Sequence, residues 1–132
     1  GQQANYQDRN SGALFGLYKA DANTMNYEYA VPQEYGNRMQ TNWFQLENSS
    51  KKGVYISGNQ PLNFSVLKYS TENIENAKHT NDLIKRDVFT VNIDLTQMGV
   101  GGDNTWSAKA EPHPEYLIKP SVYKYQFSLE AL

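Results

Sequence analysis

Residues 98–106 read Met-Gly-Val-Gly-Gly-Asp-Asn-Thr-Trp and closely follow an alternating run, Val-Phe-Thr-Val-Asn-Ile-Asp-Leu, at 88–95. Glycines after a strand are the usual material of a phosphate cradle, in which backbone N–H groups and a Lys meet the anion where a helix begins. Here no Lys follows, Asp103 would repel an anion, and Pro112 and Pro114 forbid a helix downstream. The missing helix also removes a dinucleotide fingerprint. Two readings remain. In the first, Gly99, Gly101 and Gly102 supply positive φ in a sharp connection between strands, and Trp106 is a core residue. In the second, the turn presents Asp103, Asn104 and Trp106 to a ligand. An indole offers an apolar face and one N–H donor, which suits the C–H face of a sugar ring.

Other chemistry is harder to place. Glycoside hydrolysis needs two carboxylates at a fixed separation, and the 14 acidic residues offer many pairs, Glu34 with Glu115 among them, without marking one. His79 and His113 are the only histidines, lack metal-ligand spacing, and read as solvated or capping groups. No Gly-x-Ser-x-Gly elbow marks a nucleophile. Nothing local makes the chain an enzyme by itself.

The elements that must position these residues are mostly strands. The chain has 132 residues, one domain's worth. At this size roughly two-thirds of the unfolded surface can be buried, enough for a core without staples. There is no Cys, which excludes disulfides and thiolate metal sites and leaves the compartment open. A net charge of −2 argues against nucleic acid as a partner, and no apolar run approaches a membrane span. The opening Gly-Gln-Gln-Ala has neither Met nor a signal pattern, so residues 1–4 read as a cut end or linker of a longer chain.

Ten Tyr, five Phe and two Trp among many small polar residues favour pleated, half-buried surfaces. Two-residue alternation predicts strands over 121–130 (Tyr123, Tyr125, Phe127 and Leu129 on the dry face) and over 88–95. Shorter strands are predicted at 13–19, 25–31, 41–47, 53–58 and 62–69. Turns are expected at 21–23, 35–37, 48–52 and 58–61. One short helix follows Ser70 or Thr71 as cap, with Ile74, Ala77 and His79 on one face. The pattern is that of an all-β sandwich in one compact domain, 1–132.

The segment MGVGGDNTWSAKAEPHPEY (98–116) resembles the C-terminal domain of β-galactosidases of glycoside hydrolase family 2, which carries Met-Gly, a hydrophobe, Gly-Gly-Asp, a polar pair and Trp. PQEYGNR (32–38) is similar to that family's Pro-x-Glu-Asn-Gly-x-Arg, with Tyr35 in place of Asn. PLNFSVLKYSTENIENAKHTNDL (61–83) resembles its strand, short helix and His, and NYQDR (5–9) its Asn-Tyr-Pro-Asp-Arg, with Gln7 for Pro. The likeness covers nearly the whole chain. It implies an antiparallel β-supersandwich of galactose-mutarotase type, of which this is only the later part.

It further implies that the catalytic glutamates and the main Mg²⁺ ligands belong to a barrel elsewhere in the parent enzyme, that Mg²⁺ or Na⁺ would serve that parent, and that no cofactor is bound here. Galactoside sugars and the remaining domains would be the partners. By the same resemblance Trp106 contacts the sugar on its aglycone or acceptor side, while Gly99, Gly101, Gly102 and Asp103 shape the loop. A supersandwich cut in this way leaves sheet edges and apolar faces that invite a homo-oligomer.

Overall fold

The computed structural model of the chain describes residues 1–27 and 29–132. The described residues form four strands, one α-helix and four short 3₁₀ turns: β1 (Arg38–Glu47), β2 (Gly53–Leu67), α1 (Thr71–Asn76), β3 (Thr90–Asp94) and β4 (Phe127–Ala131). The architecture is all-β and antiparallel throughout. β2 is the spine: β1 lies along one edge, and β3 and β4 share the other, β3 on its second half and β4 on its first.

β1 and β2 form a hairpin because Asn48 supplies its own turn. Its Oδ1 accepts from the N–H groups of Ser50 (2.9 Å) and Lys52 (3.1 Å), leaving Lys51 with a positive φ of 63°. The turn expected at 58–61 is instead a bulge within one long strand. Where β1 takes two steps, Trp43 back to Thr41, β2 takes five, Ser57 to Leu62. Pro61 has no N–H to give a ladder, and Gly58 leaves no room for a methyl, with the Gln60 carbonyl 2.5 Å away. Local turn chemistry therefore kinks the strand without breaking it.

Three strand expectations fail for want of a partner. Residues 13–19 form no strand, and Leu14, Phe15 and Leu17 face solvent. Residues 25–31 form none either, Glu28 lying outside the described residues. The expected strand 121–130 begins only at Phe127, because β2's outer edge passes to β3 beyond Gly58. There Gln126 makes the last contacts, its carbonyl accepting from Asn59 N–H at 3.2 Å, and Tyr125 reaches across to donate to the Ile93 carbonyl at 3.0 Å. Alternation shows which residues suit a strand, but a strand also needs an open edge.

Two clusters make the core. Phe44, Ile56 and Leu62 pack with Leu46, Val54, Phe64, Val91 and Ile93, and the rings of Phe44 and Phe64 stack at 4.0 Å. Tyr35, Leu67, Tyr69 and Ile74 form the second, under α1. The helix starts where expected, Ser70 Oγ accepting from Asn73 N–H at 3.1 Å, and buries Ile74 while Ala77 closes it. His79 does not join that face; it is exposed at the start of the 3₁₀ turn Thr80–Asp82. Tyr35, which stands where the resembled motif has Asn, is 5 % exposed and donates to Asn26 Oδ1 at 3.2 Å. No helix among the described residues is long and apolar enough to cross a membrane.

Candidate functional site

The glycine loop leaves β3 and is tied down residue by residue. Gln7 Nε2 donates to Thr96 Oγ1 (2.9 Å), and Gly99 N–H donates to the Tyr116 carbonyl (2.9 Å). The next two amides, of Val100 and Gly101, both donate to one oxygen, Asp8 Oδ2, at 2.9 and 2.7 Å. Asp103 N–H donates to the Lys109 carbonyl at 2.7 Å. Beyond it Asn104 Oδ1 accepts from the N–H groups of Trp106 (3.1 Å) and Ser107 (3.0 Å), a side chain mimicking a turn. Trp106 sits at the end of this bracing, 83 % exposed.

The loop thus does what glycine-rich loops do: consecutive N–H groups converge on an anion. The anion is the protein's own carboxylate, which is why neither Lys nor helix is needed. The glycines also differ from expectation. Among the described residues Gly36 is the glycine with positive φ (84°); Gly99, Gly101 and Gly102 have none. Space is the reason at two of the three positions. A methyl on Gly99 would stand 2.8 Å from both Asp8 Oδ2 and Tyr116 Cβ, and one on Gly102 would fall on the carbonyl oxygens of Lys109 and Glu111. At Gly101 it would meet Asp8 Oδ2 at 3.6 Å, an ordinary contact.

Asp8 is itself held by a tight turn in which Tyr6 and Arg9 exchange backbone hydrogen bonds of 3.1 and 2.9 Å. Asn5 anchors that turn to the start of β1. Its N–H donates to the Asn37 carbonyl (2.8 Å), its own carbonyl accepts from Asn37 Nδ2 (2.9 Å), and its Oδ1 accepts from Met39 N–H (3.0 Å). Tyr6 donates to Glu34 Oε1 at 3.2 Å. Asn5, Tyr6 and Asn37 are almost wholly buried, so these polar bonds form without competition from water. The segments 5–9, 32–38 and 98–106, far apart in sequence, form one connected scaffold.

A cleft of about 500 Å³ opens beside the loop, lined by Asp8, Arg9, Gln33, Asp103, His113 and Tyr116 among others. Its clearest polar pair is His113 Nε2 with Asp103 Oδ1, 2.8 Å apart, with Glu115 Oε1 3.9 Å from the other ring nitrogen. The Asp103 hydrogen bond, then its charge, and more weakly Glu115 and Asp8, hold the imidazole above its ordinary value near 6.5. A raised folded-state value means that the pair's contribution is complete below that ordinary value and fades as pH climbs through the raised one. Asp103→Asn is expected to lower the His113 titration midpoint followed by NMR. A midpoint that stays put would remove the pair. No group of three or more His, Asp or Glu among the described residues could hold a metal ion.

The first reading of Trp106, as a core residue, fails: the indole is almost wholly in solvent. Asp8 lies in the NYQDR motif, but nothing in the sequence pairs it with the glycine loop. Its partners lie 92 and 93 residues away, and no local pattern picks one carboxylate among 14.

Residues 1–129 match the family described as beta galactosidase small chain. A β-galactosidase of Streptococcus thermophilus is 35 % identical over 134 aligned residues, covering 100 % of this chain and 13 % of the relative. One of Vibrio cholerae is 35 % identical, covering 98 % of the chain and 12 % of the relative, and one of Pseudoalteromonas haloplanktis 36 %, covering 95 % and 11 %. The chain therefore spans about an eighth of the length of these relatives. With its match running over nearly every residue, the chain belongs to the beta-galactosidase small-chain family.

Proposed function

We propose that the chain is the C-terminal portion of the last domain of a retaining β-galactosidase, and that it lends Trp106 to the aglycone or acceptor side of the sugar site. The observation that carries this reading is an 83 % exposed indole at the end of a heavily braced loop. An exposed aromatic on a floppy loop would lose on ordering much of what it gains from a ligand; bracing removes that cost in advance. Retention requires two carboxylates roughly 5 Å apart, which other domains of the parent would supply. The small chain would complete the pocket wall and orient the departing or accepting sugar, a remote contact whose binding energy serves positioning. The sheet described here would be one part of a supersandwich, with the exposed side chains of β4, Phe127 and Leu129, covered by the remaining domains.

The test is Trp106→Ala in the full-length protein that carries this chain. Loss of one aromatic–sugar stack of about 1 kcal/mol is expected, a roughly fivefold weakening of acceptor or aglycone binding in transglycosylation and inhibition assays. Unchanged acceptor kinetics would take Trp106 out of the site. The rival reading is an independent carbohydrate-binding or structural sandwich. It would be favoured if the reading frame around this chain encoded no hydrolase barrel.

A further inference from the structure

We propose that Asp8 is the positioning residue of the Trp106 loop: its carboxylate, clamped by the Val100 and Gly101 amides, fixes where the indole stands. Three observations join in this. One carboxylate oxygen takes two short N–H bonds, 2.9 and 2.7 Å, from consecutive loop amides. Gly99 has no space for a side chain because that same oxygen lies 2.8 Å from where a Cβ would be. The turn bearing Asp8 is anchored through buried Asn5 to Asn37 and to Met39 of β1, so the carboxylate is referenced to the sheet. Through Asp8 the middle of the loop is tied to the sheet, beside the Gln7–Thr96, Gly99–Tyr116 and Asp103–Lys109 bonds.

A charged acceptor shared by two amides is among the stronger local hydrogen-bonding arrangements, and losing it releases two loop donors to water at once. Asp8 Oδ1 is buried and without a hydrogen-bond partner among the described residues, so the clamp rests on Oδ2 alone. The consequence for sugar binding rests on the function proposed for Trp106; the mooring itself does not.

Hydrogen exchange read by mass spectrometry in the full-length protein tests it, with Asp8→Ala and Asp8→Asn. In Asp8→Ala, peptides covering 98–106 should exchange roughly tenfold faster, while those covering β2 stay as protected as in the parent. Asp8→Asn keeps an oxygen for the amides and should fall between. Unchanged exchange at 98–106 in both variants overturns the proposal. Equal loss of protection in β2 also overturns it, since Asp8 would then hold the whole fold. Acceptor kinetics separate the two claims. Loosening with the same acceptor defect as Trp106→Ala, and no further defect in the double variant, supports both. Loosening with unaltered acceptor kinetics leaves the mooring standing and removes the sugar contact.

Discussion

Gly102→Ala is expected to dislodge the end of the glycine loop, whereas Gly101→Ala, one residue earlier, leaves it in place. The two substitutions add the same methyl, and neither position has positive φ, so backbone preference does not distinguish them. Surroundings do. The new Cβ at 102 lands among backbone atoms, on the Lys109 carbonyl oxygen, 2.5 Å from that of Glu111 and 2.6 Å from the Ala110 carbonyl carbon. Backbone cannot swing aside as a side-chain tip can. The segment that receives the Asp103 N–H bond would therefore have to part from the loop, at a cost of about 2–3 kcal/mol. At 101 the methyl meets one carboxylate oxygen at 3.6 Å, and the change should stay within about 0.5 kcal/mol. Exchange protection over 98–106 and acceptor kinetics in the full-length protein both read this contrast. Gly102→Ala should reproduce or exceed the acceptor defect of Trp106→Ala. Equal behaviour of the two alanine variants would show that the loop's close approach to 109–111 does not set its position.

That contrast also shows what the sequence could and could not reveal. Side chains acting on their own neighbours were legible: Asn48 makes the hairpin turn, Ser70 starts α1, and Asp21 caps the turn at Ala22–Thr24. Alternation located β3 and the end of β4 because apolar period and available edge coincide there. The residues at 13–19 form no strand, and turn chemistry misled at Gly58 to Pro61, where turn residues made a bulge in a continuing strand. The glycines at 99 and 102 were legible as special positions but not for their reason. Crowding by Asp8, Tyr116 and the carbonyls of 109–111 is a tertiary property, invisible until the chain closes on itself. Likewise the resemblance marked NYQDR, PQEYGNR and MGVGGDNTW as separate motifs. Only the fold shows them hydrogen-bonded in series, from Asn37 through Asn5 and Asp8 to Val100.

The scaffold beneath that series has its own expected weak point. Leu62→Ala should destabilise the chain by about 3 kcal/mol, a large share of the 5–15 kcal/mol typical of a domain. Leu62 is fully buried, packs with Phe44 and Ile56, and stands just past the β2 bulge, where Gly58 presses close to its Cγ. Its truncation opens a cavity at the point where β1, β2 and β3 share one core, and a kinked strand crossed by ladder bonds has little freedom to collapse into it. Leu129→Ala removes the same atoms from β4, directly opposite Ile56, but that side chain is 61 % exposed in the chain. Its cost there should be within about 0.5 kcal/mol. Urea unfolding of the chain separates the two: the midpoint should fall sharply for Leu62→Ala at an unchanged slope and scarcely for Leu129→Ala. Comparable losses would mean that the two clusters are not the seat of stability. In the full-length protein the Leu129 cost should rise if the remaining domains cover β4. The same pair of variants thus separates the chain's own core from a face completed by its neighbours.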